Sequence, residues 1–559
     1  MNTSDANRNE YDVVIAGGGV NALSCAAQLA REGLAVCVVE RNPWVGGGAV
    51  TREVTLPGFR HDLYGSSHVW VHANPDFQPI RDELAAHGLK YIWSEDQITG
   101  HPDRGGGPGI VIYKSIEKTM ESIARYSRRD ADRYRRVYDD FALIRDGFIK
   151  AFFSPPAAPS LMTQALEKNR DGLRRLREFS LSARAWVEEN FENDFVKAVM
   201  LNWALAPQIL PEQEGAGQSF YIMIPAIHVY GQAIPEGGSQ RLPDAMARYV
   251  EAHGGSVLTQ APIRSFLIEE GTARGVILEN GRTLRARRAV VSALEPKQTF
   301  LKFNRGTDVP AEFTEQVKRF SFGKISICRV HLALSEAPRF NNGAEMSRCA
   351  FHRIVDSMPQ MLRQYAEIAQ GIAPTDPFLW SACWTLMDPT RAPAGQHTLI
   401  VDTYVPNWLA DGRSWEEVKH EYAEEVLLKK LQQYAPNIND STILGRYVDA
   451  RESLESANPS FVDGTTNDNR RMRLYFDATS GLLLRRTTTM STMIGIIPDQ
   501  IDLEDYREAD GLKFPFTARA ATLEVGNPTS TRTFTEVKVN VPVDESKFNM
   551  PPAPKPAAP

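Results

Sequence analysis

Cysteine is scarce in this chain. Five are scattered over 559 residues, at Cys25, Cys37, Cys328, Cys349 and Cys383, and no pair forms C-x-x-C. That spacing argues against a disulfide framework, a redox dithiol and a cysteine zinc site, and it predicts core thiols in a reducing compartment. Long apolar runs are also missing: none reaches the ~18 residues of a membrane-spanning helix. The opening MNTSDANRNE has no apolar core of the secretory kind, so a cytoplasmic location is expected, with peripheral membrane contact left open. There is no excess of basic charge. Lys and Arg number 63 against 69 Asp and Glu, a net charge of −6, which gives no electrostatic footprint for nucleic acid. The length allows two to four domains.

What is present is concentrated between Tyr11 and Thr51. Val13-Val14-Ile15 predicts a strand entering Gly17-Gly18-Gly19. Leu23, Ala26, Ala27, Leu29 and Ala30 then recur as one small apolar face of a helix, which Gly33 is placed to end in a left-handed cap. Val36 to Val39 predicts a second strand, delivering Glu40 18 residues after Ala22. Strand, glycine turn, helix, strand and acid in this order form a dinucleotide-binding fingerprint. Gly17 allows the tight turn, Gly19 the approach of a pyrophosphate, and Ala22 the close packing of helix on strand. The helix start offers free N–H groups to phosphate, and Glu40 a carboxylate to a ribose hydroxyl.

Arg41 and the cluster Gly46-Gly47-Gly48 follow directly. This glycine loop behind the acid resembles the FAD motif of the phytoene desaturase and amine oxidase clan, in which it passes under the extended cofactor. The segment Phe59 to His68 would then run close to the flavin ring. Its proton-exchanging groups, His61, Asp62, Ser67 and His68, are weak candidates for the active-site floor; a polar turn is the plainer account of them.

Residues 115–153 and 161–210 read as helical, with Asp130 as a candidate cap and Tyr134, Val137, Tyr138, Phe141 and Phe148 on one face. The apolar end Phe148–Phe153 suits ordinary core, the lip of a substrate tunnel, or a membrane-dipping patch. The nucleotide-binding unit resumes at Gly237-Gly238. A helix carries Leu242, Ala245, Met246, Tyr249 and Val250, Gly254-Gly255 stops it, and strands follow around Val257, Ile263, Phe266–Ile268, Gly275–Leu278 and Ala289–Ala293. Asn280-Gly281 predicts a type I′ hairpin turn. This order, with Asp388–His397 and Tyr404-Val405-Pro406, is similar to a subgroup of NAD(P)/FAD-dependent oxidoreductases over residues 10–465. The resemblance implies FAD contacts at Gly17, Gly19, Ala22, Glu40, Arg41, Gly47, Gly48, Ile263 and Ala293. Further on, Ile325 to Leu332 alternates with period two, placing Arg329 and His331 on one face with Ile325 and Ile327, and residues 415–434 read as an amphipathic helix.

The subgroup closes with a glycine-rich flavin segment, Gly-x-x-Thr-x-Pro-Gly-Gly-Gly, and nothing of that form occurs after residue 400. Residues 466–550 predict an antiparallel β module instead, with a hairpin from Arg473 to Leu484, and resemble part of the outer-membrane lipoprotein-sorting-like β domains. Residues 551–559 are a proline-rich tail.

The expected fold is α/β: a Rossmann-type FAD domain in two parts (10–70 and 231–300), an inserted α+β substrate domain (71–230 and 301–465), the β module and the tail. The expected function is an FAD-dependent oxidoreductase of desaturase or dehydrogenase type acting on an apolar or amphipathic small molecule, with no metal. Two other functions are weighed. One is a flavin-deficient ligand- or lipid-binding fusion, because the last flavin segment is missing. The other is an amine oxidase relative, which would need an aromatic cage at the flavin.

Overall fold

The computed structural model describes residues 8–155 and 170–451 apart from 76, 207, 222, 305–308 and 322, with 164, 166 and 167, and then 472–476, 483–492, 495–509, 512–522 and 530–533. The end of the resembling stretch at 452–465, the turn of the hairpin expected from Arg473 to Leu484 and the tail 551–559 lie outside the described residues. Two compact units divide the chain, 1–157 with 174–467, and 158–173 with 468–559.

In the first unit, β1 (Glu10–Ala16), α1 (Val20–Arg31) and β2 (Val36–Val39) form the predicted strand-helix-strand. Helix α1 buries Ala22, Leu23, Ala26, Ala27 and Ala30, and Gly33 takes φ +81°, as a left-handed cap requires. After the insertion come α2 (Arg241–Ala252), β3 (Ser256–Leu258), β4 (Ile263–Glu269), β5 (Thr272–Leu278) and β6 (Thr283–Ser292). They complete a sheet of order β4-β5-β6-β1-β2-β3. Strands β6, β1, β2 and β3 run parallel, and β4-β5-β6 is an antiparallel meander. Among the described residues, the stretch 286–292 of β6 pairs only with β1.

Two local expectations are corrected. Asn280 is not in the left-handed region, so Asn280-Gly281 makes no type I′ turn; Leu278 N bonds Arg282 O at 2.9 Å around a longer loop in which Gly281 alone has positive φ. The two-residue turn is at Glu270-Gly271, at φ +50° and +73°, between the paired Glu269 and Thr272. The second correction is the cap of helix Arg128–Phe152, which is Ser127 and not Asp130. Asp130 lies inside the first turn, and its carboxylate accepts from Glu192 N and Asn193 N at 2.9 Å. In the same helix Ile149 is buried but Phe152 is half exposed, stacked on Trp70 at 5.0 Å.

The larger sheet of this unit contains β7 (Ile325–Leu334), β8 (Phe351–Ile354), β9 (Leu379–Ala382), β10 (His397–Pro406) and β11 (Ile443–Asp449). Its order is β11-β7-β10-β9-β8, followed by strands Gln97–His101 and Ile110–Tyr113. One face carries Cys328, Val330 and Leu332 into a core closed by the helical run from Trp415 to Gln432. That run starts at a capping box made by Ser414 and Glu417. A second core holds the helices of the insertion, where Trp186 stacks on Phe220 at 4.0 Å.

The second unit contains the expected antiparallel module. Its strands 472–476, 483–492, 495–509, 512–522 and 530–533 follow one another across the sheet, and Met472–Phe476 pairs with Leu483–Thr488.

Candidate functional site

The first half of the site is backbone. Strand β1 ends where Gly17 N bonds Val39 O at 2.8 Å, and Gly17 turns the chain at φ +96°. A Cβ there would stand 3.0 Å from Leu294, so the position needs glycine twice over. Gly19 is different. It is the N-cap of α1 at φ −70° with no side-chain cap, and a Cβ on it would meet nothing nearer than Gly47 Cα at 4.0 Å. Gly46 N bonds Gly18 O at 2.8 Å and Gly19 bridges Gly46, so the two glycine clusters of the sequence lie side by side at the uncapped helix start. A side chain at Gly19 would fill the gap between them. That gap, lined by backbone at the positive end of a helix, fits a pyrophosphate.

Glu40 is buried and accepts from Gly18 N at 2.8 Å and Asn42 N at 2.9 Å, which pins the turn while leaving lone pairs on both oxygens. Ala22 is buried under the turn, and Arg41 is exposed. Gly48 O accepts from Gly65 N at 3.1 Å, which brings the loop to the floor segment. Ala293 N bonds Ala16 O at 2.9 Å beside Gly17. Ile263 is buried at the start of β4 in a core with Val14 and Ala16.

The second half is a cluster of buried charge. Arg391 Nη1 is 2.6 Å from Asp62 Oδ2, and its Nε is 3.0 Å from Asp388 Oδ2. Its Nη2 donates to Pro235 O at 3.0 Å. Asp62 also accepts from Thr51 Oγ1 at 2.6 Å and Ser239 N at 2.8 Å, and Asp388 from Gly237 N at 2.7 Å. Burial pushes the Asp62 carboxyl up, but Arg391, Thr51 and Ser239 together hold it below the usual carboxylate range. Asp62 is thus a structural anion that ties the floor to the loop opening α2. That loop fits only because Gly238 has no Cβ, which would sit 2.3 Å from Thr51 Oγ1.

The histidines of the floor are buried and neutral at pH 7. His61 Nε2 shares a hydrogen bond with Thr55 Oγ1 at 2.9 Å, and its ring meets His331 edge-on at 5.2 Å. Burial, then His331, pushes it down to about 2. His68 is bonded to Tyr91 OH at 2.9 Å and Ser239 Oγ at 3.2 Å, and burial pushes it down to about 4.

Where the floor meets the larger sheet there is a cavity of about 180 Å3. Tyr64, Ser66 and Ser67 form one side, and the other comes from the sheet face predicted for Arg329 and His331. Cross-strand pairing builds that face from distant residues: Arg353 pairs with Trp380, Trp380 with Asp402, Asp402 with Arg329, and Arg329 with Asp449. Arg329 donates Nε to Asp402 Oδ2 at 2.8 Å, and its Nη1 bonds Leu63 O and Tyr64 O, fixing the floor against the sheet. Phe351, Trp380, Trp384 and Ile400 supply apolar walls. Behind Trp380, Arg353 is buried with its guanidinium 3.9 Å from the Trp203 ring centre and 4.9 Å from that of Trp380. It bonds Asn202 O at 3.1 Å, and burial pushes it down to about 10.

Of the four floor candidates, Ser67 lines this cavity and the other three pack behind it. Sequence reasoning missed Arg353, Trp380, Trp384 and Asp402. Alternation along β10 would have put Asp402 and Ile400 on one face, but only pairing across strands places them opposite Arg329 and Ala382. Among the described residues there is no cluster of three or more metal-ligating side chains, and no helix is long and apolar enough to cross a membrane.

A family model described as flavin containing amine oxidoreductase matches residues 23–443. The chain is similar to pyridine nucleotide-disulfide oxidoreductase domain-containing protein 2 of Rattus norvegicus, 26% identical over 498 residues, which cover 80% of this chain and 82% of the relative. It is also similar to one of the limonene dehydrogenase polypeptides of Castellaniella defragrans, at 25% over 483 residues, 82% of this chain and 84% of the relative. Phytoene desaturase (neurosporene-forming) of Cereibacter sphaeroides matches at 24% over 455 residues, 78% of this chain and 80% of the relative. Among solved structures, an oxidoreductase from Methanosarcina mazei aligns at 18% identity and TM-score 0.47, over 78% of this chain and 87% of that one. Wild-type putrescine oxidase bound to putrescine aligns at 16% and TM-score 0.48, over 78% and 84%.

Proposed function

This chain belongs to the flavin containing amine oxidoreductase family, and from that premise we propose that it is a desaturase- or dehydrogenase-type enzyme taking a hydride from a C–H bond of an apolar or amphipathic small molecule. Its cofactor is FAD. The observation that carries the substrate class is the cavity between floor and sheet, walled by Phe351, Trp380, Trp384 and Ile400. Two relatives whose names carry a hydrocarbon substrate, limonene dehydrogenase and phytoene desaturase, support the same class.

The residues present fit the cofactor. Gly17, Gly19 and Gly47 would hold the pyrophosphate against the start of α1, and Glu40 would accept from ribose hydroxyls, with Ala22, Arg41, Gly48, Ile263 and Ala293 around them. FAD, when bound, supplies the hydride acceptor. The chain's own part is placement and exclusion of water. Arg329 holds the floor to the sheet, Phe351, Trp380 and Trp384 line the cavity with apolar surface, and the neutral His61 and His331 rings pack edge-on against each other without adding charge.

The test is flavin retention followed by turnover. Purified protein is incubated with FAD, desalted, and titrated anaerobically with limonene-like and polyene hydrocarbons and with amphipathic analogues. Flavin absorbance that survives desalting and bleaches with such a substrate supports the proposal. Retained flavin that only amines bleach would replace its substrate class.

A further inference from the structure

The larger sheet carries a second opening on the side away from the cavity. Along β10, Ile400 and Asp402 line the cavity, while Val401 between them joins the core closed by the helical run from Trp415 to Gln432. At the rim of that core, residues 371–373, 409–413 and 418–426 contribute to a groove of about 460 Å3, within the size range of small-molecule sites. These segments are tied to one another. Ala410 N bonds Gly371 O at 2.8 Å, and Tyr422 OH donates to Pro374 O at 2.9 Å. Gly371 takes φ +74°, and a Cβ on it would stand 2.6 Å from the Trp408 ring, so the ring lies directly on the glycine. The groove is preformed by this frame. Leu409, Val418, Tyr422 and Val426 give it an apolar floor, and Ile372 and Trp408 stand 43% and 45% exposed beside it. The helical run also changes here. Over Ala423–Leu428 it winds as a π-helix, a rare, wider turn that recurs at functional sites, and Glu425 and Val426 of that turn line the groove.

We propose that this groove is a second ligand site, for a small molecule that joins an apolar body to an ammonium group. The body lies on Leu409, Val418 and Val426, and the ammonium meets Glu421 at the rim. Charge decides for a cation. Three carboxylates line the groove, Asp411, Glu421 and Glu425, against one guanidinium, Arg413. Arg413 is engaged by Asp411, with Nη2 2.7 Å from Oδ2, and Glu425 is bonded by Lys429. Glu421 makes no hydrogen bond or ion pair among the described residues, and Arg413 senses it only as a more distant charge. The charges behind the lining do not reverse the sign. Glu416 pairs with Lys419, Glu424 with Arg446 and Asp376 with Lys430. The carboxylates of Glu417 and Glu367 accept from Ser414 and Thr375 and stay negative, with Arg363 four residues before Glu367 on its helix. An anionic ligand would meet this excess of carboxylates. A neutral ligand of the same shape would bind through its apolar part alone. The preference for the cation is modest, because Glu421 is exposed and solvent screens it.

The test compares phenylbutylammonium, phenylbutanol and phenylbutanoate, titrated at neutral pH into the full chain incubated with FAD and followed by ligand-observed NMR. The ammonium probe is expected to bind about threefold to fivefold tighter than the alcohol, and the alcohol tighter than the carboxylate, with the first ratio closing as salt is raised. Glu421→Gln is expected to bring the ammonium probe down to the alcohol and to leave the alcohol unchanged. Ile372→Lys, at an exposed position, is expected to weaken the ammonium probe by a similar factor. No binding of any probe, or an ammonium probe no tighter than the alcohol, overturns the proposal. So does an ammonium probe indifferent to both variants, which places it elsewhere on the chain; if it then bleaches the flavin, it is a substrate in the cavity. Flavin absorbance in the same samples scores the cofactor separately, so its loss counts against the oxidoreductase reading and leaves this one to its own ratios.

Discussion

Two deeply buried arginines divide this molecule into two kinds of interior. Arg391 meets two carboxylates and a carbonyl, and each carboxylate is bonded again to a backbone N–H. Arg353 meets Asn202 and aromatic faces, and its Nε has no partner. The first arrangement is closed. It fastens the floor, the loop before α2 and the turn at Asp388 into one rigid joint under the glycine cradle. The second is held by aromatic faces and one amide, and it lies behind the cavity wall at Trp380. A satisfied network specifies geometry, whereas an unsatisfied one marks where water or a ligand completes the structure.

Removing each arginine breaks that comparison most directly. Arg391→Met strands Asp62 and Asp388 in the interior, and a loss of about 3–5 kcal/mol is expected in urea denaturation. Arg353→Met strands only uncharged partners, and about 1 kcal/mol is expected. Equal losses would show that the two sites do not differ in kind.

Acid sharpens the same contrast with the next largest effect. His68 and His352 are buried and both pushed down to about 4 by burial. Between the ordinary histidine value and pH 4 the unfolded chain therefore binds protons that the folded chain refuses. Stability must fall as pH drops from about 6.5, by up to ~1.4 kcal/mol per pH unit for each such histidine. Asp62 acts later. Its lowered carboxyl contributes stability above the ordinary value near 3.9 that is lost only as pH falls through its folded value. Denaturation midpoints at pH 7.5, 6 and 5 should drop steadily. A flat profile would mean that the buried imidazoles find proton acceptors on folding.

The glycine cradle gives the smallest change in stability and a decisive one in binding. Gly19→Val puts its side chain into open space at an ordinary φ, so the unfolding midpoint should move by less than about 0.5 kcal/mol, while FAD retention after desalting is lost. Gly17→Val should instead cost stability, through φ +96° and the Leu294 contact. If Gly19→Val keeps its flavin, the gap between the glycine clusters is not where the cofactor lies.

The sequence by itself determined the cradle. β1, the glycine turn, α1, β2 and Glu40 are contiguous, their apolar periods are unambiguous, and their hydrogen bonds are mostly local, so Ala22, Leu23, Ala26, Ala27 and Ala30 are buried much as the pattern predicts. It also showed that Arg329 and His331 share a face, since alternation along one strand is a local property. It located the hairpin at Asn280-Gly281 but not its turn type: that loop is longer than a type I′ turn, and the two-residue turn with two positive φ angles is at Glu270-Gly271. Whether the Arg329 face met solvent or cavity was decided only by the tertiary structure. Pairing sets Trp380 and Asp402 beside Arg329 from residues far along the chain, and the floor segment closes over them. Burial, and with it the value of a charge or an unmade hydrogen bond, depends on which strands lie side by side, and local sequence does not carry that information.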